Sequence, residues 1–139
     1  MKKIFCLIFL TVFIISCSKK EEVKFEAFSP EAFAYDIGES WEVNATINVK
    51  GFTRIESGAE KSVSLSYNID LINTEGDTTK NVFSDSKDVT EKEIDDIQLE
   101  AQFEIDYASA RGKYTMIFNI KDNNSGKTIS AQAEFELKD

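Results

Sequence analysis

Five long segments of the chain alternate between apolar and polar residues. Alternation with a period of two places the apolar side chains on one face of a β-strand and the polar side chains on the other. No long segment repeats apolar residues at the three- and four-residue spacing of a helix. We therefore predict half-buried strands over residues 41–50, 63–71, 97–107, 114–121 and 129–137.

Weaker patterns predict two further strands. Residues 78–84 alternate less regularly, and Val23–Phe28 precede the only proline of the chain. That proline, Pro30, would end the first strand or mark it as an edge strand, because proline lacks the backbone N–H that a central strand needs. Lys87–Asp96 is predicted as a charged connection with room for one helical turn. Glycine-, asparagine- and aspartate-rich turns separate the strands at residues 75–77, 110–112 and 122–126.

Each predicted strand has one dry face and one wet face, which is typical of antiparallel sheets. Dry faces must be buried against each other, and two packed sheets achieve this. The expected fold class is an all-β, antiparallel two-sheet β-sandwich of about seven strands.

The C-terminal hairpin carries a family resemblance. Gly112, Lys113 and Tyr114 open a strand, Asp122 closes it, and Ser125-Gly126-Lys127 lead into the last strand. This order resembles immunoglobulin-like (Ig-like) and fibronectin type III-like domains. The resemblance implies a rigid sandwich that presents loops or a sheet edge to a protein or glycan partner.

The first residues have the form of a bacterial signal peptide. Met1-Lys2-Lys3 precede an uncharged apolar run over residues 4–15, which is shorter than a membrane span requires. Ile14-Ile15-Ser16-Cys17 then resemble a lipobox. The resemblance implies a cleaved signal peptide over residues 1–16, lipidation of Cys17 as the attachment to a membrane, a polar tether over residues 17–22 and a domain over residues 23–139.

The tether itself resembles a sorting signal. Ser18 is compatible with delivery to the outer membrane, and Lys20-Glu21-Glu22 resemble the Lys-acidic-acidic signal that exports lipoproteins to the cell surface. The alternative is a simple charged spacer. We expect an outer-membrane lipoprotein of the cell envelope, and both the periplasmic face and the cell surface remain open.

Composition narrows the expected chemistry. The 139 residues include 16 Lys and Arg, 25 Asp and Glu, no His and two Cys, for a formal net charge of −9. Loss of Lys2 and Lys3 with the signal peptide would take this charge to −11. Strong acidity argues against nucleic acid as a partner. The lack of His removes the commonest general base and metal ligand. We predict no catalytic residues, no cofactor and no metal site, and expect that the protein is not an enzyme.

Residues 122–126 (DNNSG) resemble half of a calcium-binding loop, but their glycine is one position too early. The same residues fit a hairpin turn, which we predict instead.

Five aromatic residues lie close together in the sequence: Phe25, Phe28, Phe33, Tyr35 and Trp41. A domain without disulfides needs most such rings in its core. Phe28 is expected to be the exception, because it is out of phase with Val23 and Phe25. Aromatic residues left outside would form an interaction surface, for which Phe28, Phe33 and Tyr35 are the candidates.

The expected function is therefore that of a lipid-anchored binding module for a protein or glycan partner. The alternatives are an accessory subunit of a larger envelope complex and, less favoured, an extracellular proteinase-inhibitor-like domain. The partner and the oligomeric state stay open.

Overall fold

The computed structural model of the protein describes residues 22–139. The predicted signal peptide and the sites at Cys17, Ser18, Lys20 and Glu21 lie outside these residues. Glu22 is the first described residue and is exposed.

The described residues form eight antiparallel strands in two sheets, and the predicted all-β sandwich is confirmed with one strand more than expected. The added strand, β3, is a three-residue segment too short to show an alternation. None of the described residues forms a helix that is long and apolar enough to cross a membrane. The strands are β1 Glu26–Asp36, β2 Ser40–Lys50, β3 Ile55–Ser57, β4 Glu60–Ile72, β5 Thr78–Glu91, β6 Ile97–Asp106, β7 Gly112–Asp122 and β8 Thr128–Leu137.

The two sheets differ in width. One has three strands in the order β1-β2-β6, so β1 and β6 are its edges. The other has five strands: β4 pairs with β5 and β7, β8 pairs with β7, and β3 pairs with the first residues of β4. β5 lies at an edge of the wider sheet, and most of its positions are exposed.

The core is formed by the dry faces that the alternation predicts. Buried side chains follow every second position of β2, β4 and β7, and they meet between the two sheets. At one side of the sandwich, β1 packs against β8. The inward side chains there are alanines, and small side chains allow the two edge strands to approach closely. These alanines are Ala27, Ala32 and Ala34 of β1 and Ala131 and Ala133 of β8.

The predicted bounds of the first strand, Val23–Phe28, are wrong at both ends. It begins at Glu26 and continues through Pro30 to Asp36, because a β-bulge between Phe28 and Glu31 accommodates the proline. Ser29 takes a left-handed φ of 51° in this bulge. Pro30 lies in an edge strand, as predicted, where its missing N–H disrupts pairing least.

The charged connection is also shorter than predicted. β5 extends to Glu91, so residues 87–91 belong to a strand and contain no helical turn. The reason is pairing with β4, in which Val89 lies opposite Val63 and Lys87 opposite Leu65. An edge strand tolerates charges at its exposed positions, which hides its alternation in the sequence.

The chain enters the sandwich at one end, which we call the entry end. There the backbone of Lys24 lies so close to Gly51 that any side chain at Gly51 would collide with the Lys24 carbonyl group. Gly51 also has a φ of +74°, which favours glycine. The β7–β8 hairpin loop, residues 123–127, lies at the same end, because the backbone of Thr53, just after β2, bonds to Asp122 at the end of β7.

A buried carboxylate organises the entry end. Asp122 is 1% exposed. It accepts hydrogen bonds from the backbone N–H of Thr53 at 2.8 Å, the backbone N–H of Asn124 at 3.0 Å and the hydroxyl of Ser125 at 2.9 Å. These bonds join the β2–β3 loop to the hairpin, so the predicted turn at residues 122–126 is confirmed.

The opposite end, which we call the far end, contains the β1–β2, β4–β5 and β6–β7 turns. The guanidinium of Arg111 stacks on the rings of Trp41 and Tyr107, at 4.8 and 4.7 Å from their centroids. It also forms an ion pair with Asp139 at 3.0 Å. The hydroxyl of Tyr114 donates a 2.8 Å hydrogen bond to the carbonyl of Ala110, which fixes the β6–β7 turn against the start of β7.

The Asp122→Asn variant tests the role of the buried carboxylate. An amide group cannot accept all three hydrogen bonds, and its NH₂ would face the N–H donors. We expect the free energy of unfolding to fall by about 1–3 kcal/mol. Urea denaturation measures this loss. The matched variant Asp96→Asn changes an exposed carboxylate and should leave stability unchanged; equal losses in both variants would contradict the assignment.

The same carboxylate predicts a pH dependence. Burial acts to raise the pKa of Asp122, but the hydrogen bonds from Thr53, Ser125 and Asn124 outweigh it, so the pKa lies below its ordinary value. Stabilisation by the charged form is complete above the unfolded-state pKa of about 4 and is lost as the pH falls through the lower folded-state pKa. The stability difference between wild type and Asp122→Asn should therefore narrow below about pH 4, and a constant difference would contradict the shift.

Candidate interaction surface

Two of the three candidate aromatic residues project from the wet face of the three-stranded sheet. Phe33 is 56% exposed and Tyr35 is 54% exposed. Both lie in β1 opposite polar residues of β2, with Phe33 opposite Asn44 and Tyr35 opposite Glu42. Directly paired residues point to the same face of a sheet, so these rings share the outer face of the three-stranded sheet, which we call the β1 face.

Phe28 is less exposed than Phe33 and Tyr35, contrary to expectation. Phe28 was the expected exception to burial, but it is half-buried, and the ammonium of Lys50 lies 5.1 Å from its ring centroid. Phe25 and Trp41 belong to the core as predicted. All three candidate rings nevertheless share one face because of the bulge. Its extra residue shifts the period of two, so that Phe28 before the bulge and Phe33 after it lie on one face.

The pairing of β1, β2 and β6 arranges the β1 face in rows of three side chains. Each row crosses all three strands, and neighbouring rows lie about 7 Å apart along the strands. The row nearest the far end contains Tyr35, Glu42 and Glu104, the middle row contains Phe33, Asn44 and Gln102, and the third row contains Glu31, Thr46 and Glu100.

A shallow groove of about 460 Å³ follows the middle and third rows. Phe33 forms one of its walls, and Phe83 of β5 lies at the other side, beyond the edge of β6. The carboxylates of Glu31 and Glu100 line the groove between these aromatic walls. Neither carboxylate forms a hydrogen bond or an ion pair with another described residue, so both are available to a ligand.

The two other carboxylates near these rings are already engaged. Glu42 accepts a hydrogen bond from the amide of Asn44 at 2.8 Å, and Glu104 accepts one from the hydroxyl of Ser40 at 2.8 Å. These bonds hold the side chains of the far-end row in place.

The groove is supported from the other sheet. The hydroxyl of Tyr67 in β4 donates a 2.6 Å hydrogen bond to the backbone carbonyl of Glu100 in β6. Burial raises the pKa of Tyr67, and the nearby carboxylate of Asp85 raises it further. The phenol therefore remains a hydrogen-bond donor throughout the physiological range, and it fixes the edge strand that carries Glu100.

The outer face of the five-stranded sheet has a different character. Its central positions carry short polar side chains that bond to one another: the amide of Asn123 donates to the hydroxyls of Ser64 and Ser66, and the amides of Asn68 and Asn119 donate to the carboxylate of Asp70. A broad groove of about 640 Å³ runs over this face. No aromatic side chain among the described residues of that face is comparable in exposure to Phe33 or Tyr35.

The sequence identified the aromatic part of the β1 face and missed its acidic part. Glu31 and Glu100 are 69 positions apart and only the register of three strands places them in one row. Among residues 22–139, no three His, Cys, Asp or Glu side chains are grouped so as to hold a metal ion.

Comparison with solved structures gives only distant likeness to this chain. No protein-family model matches the chain, and no curated protein matches it. The chain is similar to the alkylpurine DNA glycosylase AlkC of Pseudomonas fluorescens, solved bound to DNA containing an abasic site analogue. The identity is 14% and the TM-score 0.34, over 83% of this chain and 30% of that one.

The expectation that the protein is not an enzyme is withdrawn, since this comparison, whose solved chain is that of an enzyme, gives it no support. This chain spans less than a third of that chain's length. A likeness with such a low TM-score carries no reaction, substrate or partner over to this protein.

Stability measurements on the exposed rings test whether they serve the fold. The double variant Phe33→Ser and Tyr35→Ser removes side chains that are already more than half exposed, so the free energy of unfolding should change by no more than about 1 kcal/mol. Phe118→Ser, in the core, should cost at least roughly 3 kcal/mol. Urea denaturation of both variants gives the comparison. A large loss from the surface pair would show that these rings are structural.

Proposed function

We propose that this protein is a lipid-anchored lipoprotein of the bacterial cell envelope whose Ig-like sandwich binds a partner through the β1 face. The single observation that supports binding is the exposure of Phe33 and Tyr35. Large aromatic side chains on a rigid sheet provide contact area at a low entropic cost. Their exposure has a free-energy cost in water, and a bound partner would remove it.

Two features support the Ig-like part of the proposal. Strands one, two and six form one sheet while three, four, five, seven and eight form the other, a partition that a two-sheet Greek-key sandwich produces. The hydrogen bond from Tyr114 to the carbonyl of Ala110 has the form of the tyrosine corner of Ig-like domains.

The exposed rings lie far from the end of the domain to which the lipid would be attached, which is compatible with a lipid anchor. Residue 22 lies at the entry end, and a lipid on Cys17 would hold that end toward the membrane. Phe33 follows Glu26 by seven residues, so the rings stand roughly 20 Å along the strand from the entry end. A tethered domain would therefore present the exposed rings away from the lipid.

The Cys17→Ala variant tests the anchor. Lipidation requires the thiol, and several acyl chains would hold the protein in the membrane. We expect the variant to move from the membrane fraction to the soluble fraction after cell disruption, as measured by immunoblotting. A Cys6→Ala variant serves as the control and should remain in the membrane. Retention of Cys17→Ala in membranes would contradict the anchor.

Photocrosslinking in intact cells tests the binding surface. A photoreactive benzoyl-phenylalanine at position 33 should give a discrete crosslinked species. The same group at position 132, an exposed residue on the outer face of the five-stranded sheet, should give none. Identical products from both positions, or no product from position 33, would contradict binding through the β1 face.

A further inference from the structure

The charges of the β1 face are strongly one-sided. The register places six carboxylates on this face, from Glu26, Glu31, Glu42, Glu100, Glu104 and Asp106. It places one cation there, Lys50, and this ammonium already lies 3.8 Å from the carboxylate of Glu26. The outer face of the five-stranded sheet is more mixed, because it carries Lys113 and Lys121 beside the carboxylates of Asp70, Asp88, Glu134 and Glu136.

Such a face selects the charge of its partner. Anionic lipid headgroups and nucleic acid would meet uncompensated carboxylates, and a second copy of the β1 face would bring acid against acid. A positively charged partner would instead be attracted by these carboxylates. The groove adds a local reason, because Glu31 and Glu100 have no partner among the described residues and line the same groove as Phe33.

Carboxylates beside an exposed aromatic ring are the chemistry that binds an ammonium or guanidinium group. In the far-end row, a cation positioned over the exposed ring of Tyr35 is attracted by its π-electrons at distances within about 6 Å. The row of Glu31, Thr46 and Glu100 spans two strand spacings, so its outer Cα atoms lie about 10 Å apart. An Arg or Lys side chain that enters between them can reach both carboxylates.

The spacing of the rows predicts the order of side chains in the partner's sequence. An extended segment laid along the strands has the same rise as the strands beneath it, so alternate side chains fall on successive rows. The third row and the far-end row are acidic, and the middle row presents Phe33 with two amides. The matching segment carries basic, apolar and basic side chains at alternate positions.

We propose that the β1 face binds an extended segment of a protein partner in which two basic residues flank an apolar residue at alternate positions. This inference rests on the proposed function and specifies its partner. The basic side chains contact the carboxylates of the third and far-end rows, and the apolar side chain packs against Phe33.

A labelled peptide tests the proposal directly. The probe is a fluorescein-labelled peptide of sequence Thr-Arg-Thr-Leu-Thr-Arg-Thr, and the control peptide carries Glu at both Arg positions. Fluorescence anisotropy is measured with the full-length protein extracted from membranes in mild detergent. We expect saturable binding of the basic peptide alone, weakened when salt is raised from about 50 mM to about 500 mM.

Matched variants assign the binding to the groove. Glu31→Gln with Glu100→Gln should weaken binding roughly fivefold or more, since two charge contacts are lost. Phe33→Ser should weaken it as well. The control Glu56→Gln with Glu136→Gln makes the same change in net charge at exposed positions of the other sheet and should leave binding unchanged.

Three results would overturn the inference: equal binding of the acidic peptide, equal weakening by both double variants, or no binding of the basic peptide while a neutral oligosaccharide binds. If position 33 still gives its crosslink in cells, the proposed function stands and only the basic partner is wrong. If the crosslink is also absent, the binding surface itself is wrong.

Discussion

The bulge at Ser29 and Pro30 is the local feature on which the β1 face depends. Without its extra residue, a strand with this sequence could bury either the alanines after the bulge or Ala27 before it, but not both sets. The bulge brings both onto the inner face and places Phe28, Glu31, Phe33 and Tyr35 on the outer one. Its cost is the left-handed backbone of Ser29 and a disrupted ladder. An edge strand bears that cost with the least loss of hydrogen bonding, which is why the bulge and the proline occur there.

The two ends and the two faces of the sandwich have separate roles. At the entry end, the carboxylate of Asp122 joins the hairpin to the β2–β3 loop, and Gly51 allows the incoming chain to pass closely. At the far end, Arg111 covers Trp41 and is held by the C-terminal Asp139. The face of short polar residues satisfies many of its own hydrogen bonds. The β1 face leaves Glu31 and Glu100 without a partner among the described residues, in a groove that Phe33 also lines, and our proposal of a binding face rests on this contrast.

The sequence predicts the regular part of this fold and misses the part that depends on register. Strands β2, β4, β6, β7 and β8 follow from alternation because each has one dry face. The extent of β1 does not, since a bulge breaks the period of two, and the extent of β5 does not, since an edge strand carries Lys87 and Asp88 among its exposed positions. Phe33 and Tyr35 were recognisable as candidates from residue type. Their acidic neighbours Glu100 and Glu104 come from a distant strand, and no local pattern links them to β1.

Thiol accessibility in native membranes tests binding through the β1 face most directly. The chain contains only Cys6 and Cys17, and in the proposed mature form the first is removed and the second acylated, so an introduced cysteine is the reactive thiol. The Gln102→Cys and Ser130→Cys variants place exposed thiols on the two outer faces, and both leave the ring of Phe33 in place. A covered β1 face predicts that maleimide labels Gln102→Cys several-fold more slowly in native membranes than in the purified protein, while Ser130→Cys reacts equally in both. Equal rates at position 102 in membranes and in the purified protein would contradict a partner on this face.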